Sequence, residues 1–193
     1  VSSGLSISDA LIRQSPCIEY QRGEPMDAEK LHRDACEDLL AVLIRACLHV
    51  YGERLVTVAI FGSYGRGTMR PDSDLDCLIV VEGLADGRMA RVREFSAGDE
   101  AMAGAIQAAQ RAGIHAQLSP HFKTPLEATK GSVLFLDMTE DAKLLYDRDG
   151  FFAGVLKRMR DRLDALGSQR IWRGTRWYWD LKPDYRPGMI FEL

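Results

Sequence analysis

The chain has 193 residues, 46% of them hydrophobic and 27% charged, with a formal net charge of −3. Those values suit one globular domain with appendages and a core of useful size. No apolar run approaches the roughly 18 residues a membrane-spanning helix needs, and an acidic balance gives no bulk argument for tight nucleic-acid binding.

Residues 1–26, with Pro16, Gly23 and Pro25 as breakers, read as an N-terminal extension to which no function is assigned. Val1 to Asp9 lacks a basic region ahead of an apolar block, so no signal peptide is expected. Asp27 to Val50 predicts a helix, with Leu31, Ala35, Leu39, Val42, Leu43 and Ala46 at helical spacing. Asp27 can cap it and Gly52 lies just past its end. His32 and His49, both on this helix, are read as structural or solvated.

Leu55–Phe61 and Leu75–Val81 are nearly continuous apolar runs, which predicts central strands covered on both faces. Between them lie a Gly-Ser turn, a short glycine-rich segment and the turn Arg70-Pro71-Asp72-Ser73, where Asp72 is read as a turn cap. Alternate strand residues share a side. Asp74 and Asp76 therefore face one way, with α-carbons roughly 6.6 Å apart, while Leu75 turns to the core. Two such carboxylates can converge on paired metal ions about 3.5–4 Å apart. Gly62 lets a phosphate approach the backbone, and Ser63 adds a hydroxyl where a helix start would favour an anion. Arg66 offers a cation one turn on.

Arg88 to Ala112 predicts a helix with a soft spot at Ser96-Ala97-Gly98, its arginines forming a solvated face. Ile114 to Lys123 predicts a third strand with His115, Gln117, Ser119 and His121 on one side, and Pro120 marks it as an edge or an end. Thr124-Pro125-Leu126-Glu127 has the form of a capped helix start. Val133–Met138 is apolar, Lys143–Tyr146 predicts a short final strand, and Asp147–Gly150 a turn. Phe151–Leu166 predicts an amphipathic helix closed by Gly167.

Residues 170–181 hold all three tryptophans and several arginines, with a hairpin turn at Arg173-Gly174-Thr175. Residues 182–188 are expected to be extended. This tail could stack on a nucleobase or single-stranded RNA, present hot spots to a protein, or pack on its own domain with arginines over the rings. Residues 151–193 carry 9 basic against 5 acidic side chains, so the basic surplus is local to the tail. Cys17, Cys36, Cys47 and Cys77 show no zinc-type spacing. The last three read as reduced core residues, and a cytoplasmic location is expected.

Gly62-Ser63 followed by Ser73-Asp74-Leu75-Asp76 resembles the signature of the DNA polymerase β-like nucleotidyltransferase superfamily, in the short form of a minimal nucleotidyltransferase. The resemblance implies an α/β (α+β) fold with a small mixed sheet flanked by helices, plus a C-terminal helix and hairpin. It divides the chain into the extension 1–26, a nucleotidyltransferase domain 27–150 and a C-terminal part 151–193. It implies transfer of a nucleoside monophosphate from a nucleoside triphosphate (ATP) to an acceptor hydroxyl. Asp74 and Asp76 would be catalytic and hold two Mg²⁺ ions, with Gly62, Ser63, Arg66 and Ser73 on the nucleotide. The implied acceptors are a partner protein such as a HEPN-type toxin, or RNA, with no membrane role. A small-molecule acceptor of the aminoglycoside type, or a catalytically weak nucleotide-binding protein, are the alternatives. One departure stands out. The superfamily carries a third carboxylate on the strand after the helix, and no Asp or Glu occurs between Ile114 and Lys123. His121 or Glu127 is the candidate substitute.

Overall fold

The computed structural model describes residues 28–191, with side chains from Arg33 onward. The expected extension 1–26, Cys17 and the side chain of His32 lie outside the described residues. The chain runs α1 (Ala28–Tyr51), β1 (Leu55–Ile60), α2 (Gly62–Arg66), β2 (Leu75–Val81), α3 (Arg88–Glu94), α4 (Ser96–Arg111) and β3 (Leu118–Lys123). It continues through α5 (Pro125–Thr129), α6 (Leu134–Asp141), β4 (Lys143–Asp147), α7 (Phe151–Leu166), β5 (Gln169–Arg173) and β6 (Arg176–Asp180).

The main sheet has the order β3-β2-β1-β4. β1 is antiparallel to β2 and β4, and β2 is parallel to β3. This is the small mixed sheet that the resemblance implies. All six residues of β1 are buried, as are all of β2 except Asp76, because helices cover both faces. On one face Leu75, Cys77 and Ile79 meet Leu39 and Leu43 of α1 and Met102 of α4. On the other, Leu78 and Val80 meet Phe135 of α6 and Phe152, Val155 and Met159 of α7. Asp76 shares the parity of Leu78, so it opens towards the α5–α7 side. Cys36, Cys47 and Cys77 are buried free thiols, and burial pushes the Cys47 thiol up to about 12. No helix among the described residues is long and apolar enough to cross a membrane.

Three expectations need correction. The long helix after β2 breaks at Phe95. That ring is buried against Tyr51 and Phe122, and Gly98 has no side chain because the Phe95 ring fills its place. The third strand begins only at Leu118. Residues 114–117 are fastened to the turn before β2 instead, with His115 N–H donating to Pro71 O (2.6 Å) and Leu75 N–H to Gln117 O (2.8 Å). Residues 182–188 fold into turns, with Tyr185 N–H on Lys182 O (2.9 Å) and Lys182 Nζ on Asp184 (2.6 Å). Elsewhere the pattern read from sequence reappears. β3 is an edge strand carrying Pro120. Its Gln117 carbonyl faces β2, so by alternation the nitrogen of Pro120 faces outward, where no ladder bond is lost. The capped start of α5, helix α7 and the hairpin β5–β6 also form.

Candidate active site

Where β1 ends, the chain bends at once into α2. Phe61 N–H donates to Asp76 O (3.1 Å), which pins the bend beside the start of β2. Gly62 has φ +63°, and a Cβ there would sit 2.5 Å from Asp76 Oδ2. Only glycine accepts that backbone and leaves room for the carboxylate. Gly65 is fixed by packing: its Cβ would run into the backbone carbonyl of Asp141, so α2 lies hard against the end of α6. Gly67 closes α2 in the left-handed conformation.

Asp74 is exposed just ahead of β2, and Asp76 is half-buried within it. Burial raises the Asp76 pKa; a hydrogen bond from Ser119 and the charges of His121 and Arg66 oppose the rise, while Asp74 adds to it. The carboxylate is therefore short of positive charge. The register of β3 places Ser119 beside Asp76 and His121 beside Leu78. The strand next to Asp76 thus presents a hydroxyl and an imidazole where the family carries its third carboxylate. The His121 ring packs edge-on to Phe61, centroids 5.5 Å apart.

Glu127 is engaged elsewhere. Its carboxylate accepts from Thr124 N–H (2.8 Å) in a capping box and takes a bidentate pair from Arg91 (2.8 and 2.9 Å). Arg91 holds its pKa down to about 2. Ser73 Oγ accepts from Arg70 N–H (2.9 Å), and Asp72 lies 3.4 Å from the Arg70 guanidinium, so both shape the turn before β2. Arg66 reaches Asp141 (3.2 Å) and lies over the Trp177 ring (4.6 Å).

A cleft of about 670 Å³ runs along β3 from Asp74 to the start of α3, with Arg88, Ser119, His121 and Lys123 among its walls. Asp74 stands at its lip. Among the described residues no group of three or more His, Cys, Asp or Glu forms a ready-made metal cage. What the site offers is two carboxylates.

Of the three readings of the tail, packing on its own domain is the one the C-terminal hairpin follows. Arg170, Trp172, Trp177 and Trp179 share one face. The indole N–H groups of Trp177 and Trp179 both donate to Asp137 Oδ1 (2.7 and 2.9 Å). Arg170 forks onto Asp141 (2.9 and 2.7 Å) and lies over Trp177 (4.3 Å). The tail therefore packs on its own domain with arginines over the rings. The partners lie on α6, where Asp137 and Asp141 are one helical turn apart and so face the hairpin together.

Residues 43–137 match the nucleotidyltransferase domain family. A protein of Methanocaldococcus jannaschii assigned as a protein adenylyltransferase is 27% identical over 128 residues, covering 64% of this chain and 80% of the relative. Two solved structures are similar at lower identity. A toxin–antitoxin with AMP-PNP is 18% identical, covers 65% of this chain and 90% of its own, and gives a TM-score of 0.37. A protein of Sulfolobus solfataricus assigned as a nucleotidyltransferase is 19% identical, covers 66% and 94%, and gives 0.36.

Proposed function

We propose that this enzyme moves the adenylyl group of ATP to a hydroxyl on a protein and releases pyrophosphate. The observation that carries the reading is the half-buried Asp76 carboxylate, seated against Gly62 and two residues from exposed Asp74 at the lip of a cleft. The similarity to a protein assigned as a protein adenylyltransferase supports the choice of acceptor. A HEPN-type toxin is the acceptor class that the family resemblance implies. Residues 27–150 are read as the catalytic domain, and 151–193 as a C-terminal part packed upon it.

In the reaction, the acceptor oxygen bonds to the α-phosphorus, the bond to the bridging β-phosphate oxygen breaks, and the hydroxyl proton leaves to a base. Mg²⁺ is commonly held by one or two carboxylates together with substrate phosphates. A donor set of two aspartates fits it, and burial without a full cationic partner gives Asp76 a reason to take one. Two bound Mg²⁺ ions would neutralise triphosphate charge and activate the acceptor, with Asp74 and Asp76 as their protein ligands. Gly62 and Ser63 receive the terminal phosphates, Arg66 adds positive charge, and Ser73 keeps the preceding turn in place. His121, on the same sheet face as Asp76, is the group available to accept the proton. An imidazole brings no negative charge, so Ser119 beside Asp76 favours slower turnover than a three-carboxylate site would give.

The test is label transfer from α-labelled ATP with Mg²⁺, using a lysate of the source organism as acceptor and Asp74→Asn/Asp76→Asn as control. Label on a protein with the wild type alone supports the reading. Label on RNA or on a small molecule would replace the acceptor. Nucleotide binding with no transfer would overturn the reading in favour of a binding protein.

A further inference from the structure

We infer that the C-terminal hairpin is a working part of the catalytic site, and that Arg170 is a positioning residue which leaves Arg66 free to act on the triphosphate. The inference rests on the reading of Arg66 as a phosphate contact. Residues 169–180 lie outside the stretch, 43–137, that matches the family.

The geometry is a competition for one carboxylate. Asp141 has two oxygens and two arginines. Arg170 takes both, Nη1 to Oδ1 at 2.9 Å and Nη2 to Oδ2 at 2.7 Å. Arg66 receives one longer contact, Nη1 to Oδ2 at 3.2 Å. Bidentate arginine–carboxylate pairs are the stronger and more directional arrangement. Arg170 therefore neutralises Asp141, and the charge of Arg66 remains available. Trp177 adds a second hold: both guanidiniums lie over its ring, at 4.6 Å for Arg66 and 4.3 Å for Arg170. The ring is itself fixed by its indole bond to Asp137. Burial sharpens the effect, since the Asp141 and Arg170 side chains are 9% and 11% exposed, against 22% for Arg66.

Removing Arg170 would leave Asp141 held by Arg66 alone, at one oxygen. Arg66 would swing into a bidentate pair with it and be lost to the nucleotide. Removing Asp141 as well would release Arg66 again. A residue that only supported the fold would not show this reversal.

The experiment measures ATP binding in Mg²⁺ and the KM and kcat of pyrophosphate release for four variants. Arg66→Ala and Arg170→Ala should each raise the ATP Kd and KM about tenfold, the size of one charged contact. For Arg170→Ala, kcat should change less than about threefold. The double variant Asp141→Asn/Arg170→Ala should return KM to within about threefold of wild type. Arg170→Lys should fall between, having charge without the fork. If Arg66→Ala leaves Kd and KM unchanged, the phosphate role of Arg66 is wrong and the inference falls with it. If Arg66→Ala acts but Arg170→Ala is silent, or the double variant is no better than Arg170→Ala, the inference alone is overturned. Thermal melts of all variants identify simple misfolding. Should Arg170→Ala misfold, Arg170→Lys against the double variant carries the same comparison.

Discussion

Replacing Gly62 by alanine separates two roles that glycine plays in this bend. The first is conformational. Gly62 has φ +63°, and a left-handed conformation costs an L-residue about 1–2 kcal/mol. For a domain of this size that lowers Tm by roughly 2–8 °C. The second is spatial. The new methyl group would lie 2.5 Å from Asp76 Oδ2, closer than real Cβ contacts come. The carboxylate has to move by the order of an ångström, and a misplacement of that size costs about 100-fold in rate. Gly52 supplies the control, because it has φ +53° and nothing within 4 Å of its would-be Cβ. Gly62→Ala and Gly52→Ala should therefore lose similar Tm in thermal melts. Only Gly62→Ala should lose about 100-fold or more in pyrophosphate release. Comparable activity in the two variants would show that the Gly62–Asp76 approach has no part in catalysis.

Asp76→Asn should abolish turnover and raise Tm at neutral pH. Burial sets the folded pKa of Asp76 above its ordinary value of 3.8, so ionisation works against the fold as pH rises through that window. The Tm advantage of the variant should close below about pH 3.8, and an advantage independent of pH would refute the assignment. Glu127→Gln should leave turnover within about twofold of wild type, because both carboxylate oxygens are engaged by Arg91 and Thr124 N–H. Its stability loss should be fully present above pH 4.5 and vanish as pH falls towards about 2, since the depressed pKa stabilises the fold only while Glu127 is ionised. Asp147→Ala should cost about 2–4 kcal/mol in denaturant unfolding by two routes. The carboxylate caps α7 through Phe152 N–H and Ala153 N–H, both at 2.9 Å. It also accepts from the buried Thr57 hydroxyl at 2.8 Å.

The sequence by itself determined what depends on neighbours along the chain. Continuous apolar runs marked β1 and β2 as buried on both faces, because strand burial is written in consecutive residues. The capping box at Thr124 and Glu127 and the turn at Gly174 were legible because their partners lie within a few residues. Contacts between distant segments had no such local mark. Only register decided that Ser119, and not Gln117 or His121, lies beside Asp76. Only the fold brought Arg91 onto Glu127 and so engaged its carboxylate. Composition showed that the tail was rich in tryptophan and arginine. It could not show that Asp137 and Asp141, some 30 to 40 residues earlier, would bind that hairpin and set Arg66 beside it. A side chain's partner across the fold is chosen by packing, which the order of residues encodes only collectively.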